Sequence, residues 1–510
     1  MRIHLCVLLL ATALLPSCPG SALEPVPPAP VEFTVLHFND IHGQLLPFEE
    51  DDPVTGQRRE LGGIARLATR VRAIEAENAV RGRPTFLLFA GDLLMGTPMS
   101  MVFQGEPGML CFRDLGVDAF TVGNHEFDFG QENLRRLAAL GGERVPIISC
   151  NIDDASGQPI FPALVELPLP GGASLAVVGA TTEETPVTTF PDNVEGLTFA
   201  APAPRIHQAL AGRQARGPAL VLSHMGWKAD LAAASALPEL FAVVGGHDQM
   251  LLDPPRWAQN TTVLQAYDRG RYLGRIDVRY DPATGASRVL RSSAEPITDA
   301  VPEDPAVAAL VGIYARQLEA TMGVTVATAT ETLDGSRHRI RYEETNLGNL
   351  FVDIMRRATG ADVALLNGGS IRATLNRGEL TMGDIYRSFP YANELWVLQL
   401  DGRTLLEALT RSVRATREEE DGGFLQVSGL RMVVEGTTVA EVTVGEAPLD
   451  PEATYAVAVT DFVRMGGDGY RMMADATGTS TMLPLRGAIL KALREQGTVE
   501  AQEEGRILRR

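Results

Sequence analysis

The 510-residue chain is poor in cysteine, with four, and in aromatic residues, at 6%. So few cysteines make no disulfide framework, and Cys6 and Cys18 fall in the N-terminal leader. Cys111 and Cys150 remain, each near the end of an apolar segment, and they read as small buried thiols, with a bridge as the alternative in an exported chain. Positive charge is also scarce, since 45 Lys and Arg against 64 Asp and Glu give a formal net charge of −19. That balance lacks the broad basic footprint that a nucleic-acid polymer requires, and excludes DNA and RNA as partners. Small anionic substrates survive, because a few arginines or a bound metal set the local field whatever the net charge. Beyond the leader no apolar run approaches the roughly 18 residues that span a bilayer, so the mature chain reads as no integral membrane protein. There is no internal repeat. What is present is globular: 45% hydrophobic and 21% charged residues, with 50 Gly and 32 Pro. The length calls for two or more cores.

Met1 and Arg2 followed by the apolar stretch Leu5–Leu15 have the form of a secretory signal, assigned to residues 1–22. Leu15-Pro16-Ser17-Cys18 is similar to a bacterial lipobox, with Cys18 as the lipidated end, although Pro16 is unusual there; cleavage after Ala22 is the alternative. Residues 23–31, with Pro25, Pro27, Pro28 and Pro30, read as a stiff tether. The expectation is an exported protein, periplasmic or held at the bacterial envelope by an N-terminal lipid, which would be its membrane contact. The oligomeric state is not legible.

Residues 32–303 repeat one pattern, a short apolar run ending in polar residues, which reads as strand then loop. Phe33–Phe38 precedes Asn39-Asp40-Ile41-His42, Thr85–Ala90 precedes Gly91-Asp92, and Ala119–Val122 precedes Gly123-Asn124-His125-Glu126. Leu175–Gly179 precedes Ala180, Ala219–Leu222 precedes Ser223-His224, and Phe241–Val244 precedes Gly245-Gly246-His247-Asp248-Gln249. Helical patterns such as Ile64–Ala76 and Gln131–Leu140 lie between them, which gives an α/β region. In open α/β sheets ligands bind outside the carboxyl ends of the strands, so these polar clusters are expected to converge. Residues 304–322 read as one linker helix, with Val307, Val311, Tyr314 and Leu318 at helical spacing. A second, smaller α/β domain is assigned to 323–510, with strands Val363–Leu366, Leu395–Leu400, Gly429–Val434 and Tyr455–Val459 and helices Leu347–Thr359 and Arg403–Ala415. The acidic run Glu418–Asp421 reads as a solvated loop.

A lone histidine at a strand end is ordinarily structural. Here His42, His125, His224 and His247 fall at strand ends together with Asp40, Asp92 and Asn124, which favours a metal site. Oxygen and imidazole donors without thiolate suit Zn, Mn, Fe or a similar divalent ion. There are more donors than one ion can use. Two ions about 3.5–4 Å apart, sharing a carboxylate, would clamp the attacking and leaving oxygens of a phosphoryl displacement. Unaided hydrolysis of phosphate monoesters is extremely slow, and a metal-bound water with a pKa of about 7 supplies hydroxide at neutral pH. Histidine, with a reference pKa of about 6.5, can offer a proton to the departing oxygen or to the phosphoryl oxygens.

In order, Asp40-x-His42, Gly91-Asp92, Gly123-Asn124-His125-Glu126-Phe127-Asp128, Ser223-His224 and Gly245-Gly246-His247-x-Gln249 resemble the calcineurin-like metallophosphoesterases. Asn346-Leu347-Gly348-Asn349-Leu350, Asn367-Gly368-Gly369-Ser370-Ile371-Arg372 and Gly466-Gly467-Asp468-Gly469-Tyr470 resemble the C-terminal domain of the 5′-nucleotidase family. Together the resemblances cover nearly everything after the tether. They imply a four-layer α/β/β/α metallophosphoesterase domain joined by a helix to a smaller α/β substrate-binding domain. They further imply that Asp40, His42 and Gln249 hold one metal, Asn124, His224 and His247 the other, and that Asp92 bridges them. Gln249 stands where relatives carry His, Asn or Gln. His125 and Asp128 match a catalytic dyad; read without the family, Asp128 also suits a cap for the Gln131–Leu140 helix.

On the substrate side, Arg341 and Arg372 match phosphate-binding positions, and Asn367 matches a base-contacting one. Arg377 is a further candidate at a looser spacing. Without the resemblance each arginine reads as a surface ion-pair partner. Tyr391 and Phe462 match an aromatic pair that sandwiches the nucleobase, and Asp468 matches a ribose-binding residue, although Gly467-Asp468-Gly469 alone reads as a tight turn. The resemblance thus implies an exported 5′-nucleotidase acting on nucleoside 5′-monophosphates, with UDP-sugars, cyclic nucleotides and di- or triphosphates as extensions. The alternatives are a sulfur-oxidation thiosulfohydrolase of the same architecture, whose substrate has no base for Tyr391 and Phe462, and a surface nucleotide-binding lipoprotein without catalysis, for which the intact ligand set has no use.

Overall fold

The computed structural model describes residues 29–510, apart from 52–55, 57, 190, 214, 392 and 475. The signal, the lipobox and residues 23–28 of the tether therefore lie outside the described residues, and Val31, assigned to the tether, already opens the first strand. The first domain is built on two six-stranded sheets. One runs, in spatial order, Ala286–Pro296, Tyr272–Asp281, Val31–Phe38, Thr85–Phe89, Ala119–Thr121 and Ile147–Ile148. The other runs Arg256–Ala258, Thr261–Leu264, Ala242–Val244, Ala219–His224, Ser174–Thr181 and Leu164–Pro168. In the first sheet Val31–Phe38, Thr85–Phe89, Ala119–Thr121 and Ile147–Ile148 pair in parallel, and in the second Ser174–Thr181, Ala219–His224, Ala242–Val244 and Thr261–Leu264 do so, which brings the carboxyl ends within each set to the same side.

Side-chain alternation stacks these sheets. In Val31–Phe38, Val31, Phe33 and Val35 turn inward and share a core with Val177, Leu220, Leu222 and Val244 of the second sheet. Leu36 and Phe38 turn outward onto helices that contribute Leu67, Phe112 and Leu134. On the far side, Val178, Val221 and Val243 meet Ile206, Ala233 and Ala234 of helices Pro202–Ala211 and Trp227–Ala236. Phe33 crosses the middle layer, edge-on to Phe86 at 6.3 Å and to Phe241 at 6.0 Å. The result is the α/β/β/α order expected.

Helix Pro305–Met322 starts at Asp304, whose carboxylate accepts the amides of Ala306 and Val307 at 3.0 and 3.1 Å and pairs with Arg72. Val307 and Val311 enter the first domain's core, and the Tyr314 hydroxyl donates to Glu106 at 2.9 Å. The helix is thus docked along the first domain for most of its length.

The second domain centres on a five-stranded mixed sheet, ordered Leu425–Ser428, Val363–Asn367, Thr454–Thr460, Glu394–Asp401 and Gly478–Pro484. Ala364, Leu366 and Ala458 pack on one face against helices Asn346–Thr359 and Leu485–Gln496. Val363, Leu365 and Val457 pack on the other against Leu405 and Leu409 of helix Gly402–Ser412, which ends three residues before the expected Ala415. The C-terminal strand Ile507–Arg509 lies parallel to Leu430–Glu435, and buried Glu344 accepts the amides of Glu504 and Arg506, each at 2.6 Å.

Cys111 and Cys150 are both buried and free, and burial pushes each thiol up to about 12. They are inert core residues, not a bridge. Among the described residues no helix is long and apolar enough to cross a membrane.

Candidate active site

The parallel strands deliver the polar clusters to one place. Asp40 and His42 follow Val31–Phe38, Asp92 follows Thr85–Phe89, Asn124 and His125 follow Ala119–Thr121, His224 ends its strand, and His247 and Gln249 follow Ala242–Val244. Asp40, His42, Asp92, His247 and Gln249 all adopt positive φ, at 51°, 48°, 63°, 82° and 55°. Left-handed backbone is uncommon for residues with a Cβ, and its concentration in one set of loops marks a functional site. Gly91 allows the approach: with φ at 84°, a Cβ there would lie 2.5 Å from His224 Nδ1.

Asp92 is at the centre. Its Oδ2 lies 3.1 Å from His224 Nε2 and 3.7 Å from His42 Nε2, and its Oδ1 accepts the His125 amide at 3.1 Å. Two groups can each gather around an ion, with ligand atoms within 4.8 Å of one another: His42, Asp92 and His125, and Asp92, His224 and His247. Asp92 belongs to both. His42 Nδ1 donates to the Leu94 carbonyl at 3.1 Å and His224 Nδ1 to that of Ala90 at 2.6 Å, so each presents Nε2 to the cluster. Asp40 Oδ2 accepts from Asn39 at 2.7 Å and from the His247 amide at 3.0 Å, whereas its Oδ1 is buried with no hydrogen-bond partner. Asn124 Oδ1 lies 3.1 Å from His247 Nδ1. An unpartnered carboxylate oxygen facing convergent imidazoles fits a divalent cation.

The electrostatics agree. Burial lowers His42, and burial together with His224 brings His247 down to about 4, which leaves both imidazoles in the neutral, ligating form. Burial opposes the charge on Asp92, but His224, His125 and His42 outweigh it and hold the carboxylate well below its usual range. Burial likewise opposes an imidazolium at His224, yet Asp92 and Asp40 raise it to about 10.

His125 Nδ1 is 2.5 Å from Asp128 Oδ2, and Thr189 donates to the other Asp128 oxygen at 2.7 Å. Asp128 is not a helix cap: helix Gly130–Gly141 begins after Phe129 with no side-chain cap. Burial works against the His125 imidazolium, but Asp128 and Asp92 raise its pKa above the usual value.

A cavity of about 1370 Å³ lies where the domains meet. Asp92, Asn124, His125, Asp128, His247 and Gln249 line it from the first domain. From the second come Arg341, Asn367, Arg372, Tyr391, Phe462 and Asp468. Asp40, His42 and His224 are buried behind this wall. Arg377 is exposed and does not line the cavity, so it leaves the set. Arg341 is pushed down to about 9, by burial first and then by Arg337 and Arg372, and its Nε has no partner. Crowded guanidinium groups of this kind call for an anion. Asn367 donates to Asp468 at 2.6 Å and accepts from Ser370 at 2.5 Å, while Asp468 sits at φ 52°. The Phe462 ring lies over Gly467, where a Cβ would come within 2.6 Å of three ring atoms. Tyr391 packs against the apolar cores of both domains.

Residues 33–251 match the calcineurin-like phosphoesterase family and residues 324–475 the 5′-nucleotidase C-terminal domain. The chain is 30% identical over 502 residues to the 5′-nucleotidase of Homo sapiens, covering 87% of this chain and 85% of that protein. The chain belongs to the 5′-nucleotidase family. It is also 30% identical to a trifunctional nucleotide phosphoesterase of Bacillus subtilis over 88% of its own length, and spans 32% of that longer protein. The solved structure of a 5′-nucleotidase precursor from Thermus thermophilus is similar at a TM-score of 0.85, with 31% identity, covering 94% of this chain and 99% of that one. The protein is accordingly a phosphoric monoester hydrolase of metallophosphoesterase architecture.

Two residues of this nucleotidase-family site escape sequence reasoning. Arg337 reaches across from the second domain and donates to Gln249 Oε1 at 3.1 Å. Glu126 is fully buried and accepts the amides of Gly123, Leu93 and Asp92 at 2.6, 2.7 and 2.9 Å, tying two ligand-bearing loops together. Burial, with Asp92 nearby, raises its pKa to about 7. Its signal in the sequence is an acid enclosed between His125 and Phe127. Glu126→Gln turns one acceptor into a donor facing backbone N–H groups, and is expected to destabilise the chain by about 1–3 kcal/mol, the cost of a buried unsatisfied donor. Urea unfolding checks this; wild-type stability would mean that the loops hold without it.

Proposed function

We propose that this enzyme removes the 5′ phosphate of nucleoside monophosphates in an exported, metal-dependent reaction. The observation that carries the reading is the shared cavity in which the imidazole–carboxylate cluster faces the arginines and aromatic rings of the other domain. Asp40, His42 and Gln249 would hold one cation, Asn124, His224 and His247 the other, with Asp92 between them. When bound, two divalent ions, Zn, Mn or similar, activate water and neutralise charge on the phosphoryl oxygens.

The chain's own residues do the rest. Arg341 and Arg372, joined by Arg337, take the phosphate. With Asp128 accepting from Nδ1, His125 turns Nε2 to the cavity and stabilises the phosphoryl oxygens or delivers a proton to the departing ribose oxygen. Tyr391 and Phe462 hold the base, Asn367 contacts it, and Asp468 takes the ribose hydroxyls. Stacking accepts any base, so broad specificity follows, and a cavity of about 1370 Å³ leaves room for di- and triphosphates, cyclic nucleotides and UDP-sugars. Substrate must bridge both domains, so opening and closing belong to turnover. Export rests on the leader at residues 1–22, and the buried, unreactive thiols of Cys111 and Cys150 are compatible with an oxidising compartment.

The test is phosphate release from AMP, UMP, ATP, UDP-glucose and cyclic nucleotides, with and without a chelator. AMP and UMP should be cleaved, and chelation should abolish cleavage; hydrolysis indifferent to chelator would overturn the metal assignment. Phe462→Ala separates the base clamp from the chemistry. It should raise KM for AMP by an amount corresponding to about 1–3 kcal/mol of lost stacking and leave an aryl phosphate almost unaffected. Equal losses on both substrates would make Phe462 a packing residue.

A further inference from the structure

The Gln249 amide is gripped from both sides. Its Nε2 lies 2.7 Å from His42 Nε2, and its Oε1 accepts from Arg337 Nη1 at 3.1 Å. The hydrogen-bond partners fix which amide end points where. Arg337 can only donate, so an oxygen must face it. His42 already donates from Nδ1 to the Leu94 carbonyl, so its Nε2 offers a lone pair and an amide N–H must face that. Arg337 is itself held by Glu420, to which its Nε donates at 2.8 Å. Gln249 adopts φ 55°, which sets the direction of its side chain.

This orientation opposes metal binding. It covers the His42 lone pair with an N–H and turns the Gln249 oxygen away from the cluster. To ligate, the amide must turn over, and that would put its NH₂ against the Arg337 guanidinium, donor against donor. We propose that Arg337 acts as an interdomain latch on Gln249, so that contact between the domains weakens the first cation subsite and that subsite loads when they are apart. The latch rests on the assignment of His42 and Gln249 as ligands made above. It makes Arg337 a positioning residue for this chain's own metal site, in addition to any contact with phosphate.

Mn²⁺ titration of the metal-stripped full-length protein by calorimetry tests it, with no turnover involved. Arg337→Met should tighten the weaker Mn²⁺ step. Removing any nearby positive charge would also favour a cation, so Arg341→Met, which takes a charge from the same cavity without touching Gln249, is the reference. Arg337→Met should exceed it by about tenfold, the lower end for a hydrogen bond to a charged group. In a Gln249→His background, where no amide can be turned, the difference between the two arginine variants should vanish. Equal effects of the two arginine variants, or a difference that persists in the Gln249→His background, would overturn the latch. Wild-type protein that binds no Mn²⁺ at all would instead overturn the ligand assignment, and the latch with it.

Discussion

Asp92→Asn is expected to leave at most one divalent ion per chain and to lower AMP hydrolysis by at least about 100-fold, the upper end of what losing a partner one layer farther from a metal costs. Both Asp92 oxygens are committed, Oδ1 to the His125 amide and Oδ2 to the side of His224 and His42. Asparagine keeps the shape but has a single oxygen. Turned to the His125 amide, that oxygen leaves an NH₂ among the imidazoles; turned the other way, it sets two donors face to face. The backbone does not confuse the result, because Asn tolerates the positive φ of 63° at this position. Metal analysis of the purified variant and its AMP turnover are read together. Two ions per chain with normal turnover would remove the bridge from the mechanism.

The strand-end residues were legible because parallel pairing leaves few places for them to go. Once Asp40, Asp92, Asn124 and His224 end parallel strands of two packed sheets, they must converge. The layer order came from the family resemblance and not from periodicity; the structure shows the alternation that realises it, with Phe33 and Val35 in one core and Leu36 and Phe38 in another. Asp128 was not decidable from spacing, since a residue three beyond His125 and two before a helix suits dyad and cap alike; the structure removes the cap, because helix Gly130–Gly141 has no side-chain cap, and sets Asp128 Oδ2 2.5 Å from His125 Nδ1. Arg337 escaped notice because its partner Gln249 lies 88 residues away in the other domain. Glu126 escaped because its partners are backbone amides, which carry no side-chain signature. The edge strand Ala286–Pro296 is half exposed and rich in Arg and Ser, so its hydrophobic pattern is weak, and only pairing with Tyr272–Asp281 defines it. Arg377 shows the reverse error, a plausible residue type at a loose spacing that the chain turns to solvent.

His125→Ala should separate chemistry from metal binding in the way that Asp92→Asn cannot. What Asp92 takes from residue 125 is its backbone amide, at 3.1 Å, and alanine keeps that donor. His125 also lies near enough to His42 and Asp92 to share an ion with them. With its ring held by Asp128 and with Asp40, His42, His224, His247 and Asn124 untouched, two ions should remain, and loss of one would make His125 a ligand. What disappears is the imidazole held by Asp128 at 2.5 Å and favoured in its protonated form by Asp128 and Asp92. Losing a positioned acid or base typically lowers turnover by about 10²–10⁴-fold, and the same is expected here. The leaving group then decides between the two tasks open to the ring. An alkoxide such as the ribose 5′ oxygen needs a proton to depart, whereas a nitrophenolate does not. If His125 delivers that proton, the variant should lose far more on AMP than on a nitrophenyl phosphate. If it stabilises the phosphoryl oxygens, both substrates should slow by the same factor. Wild-type rates on both, with two ions bound, would place His125 outside the mechanism and leave Asp128 to the Thr189 contact alone.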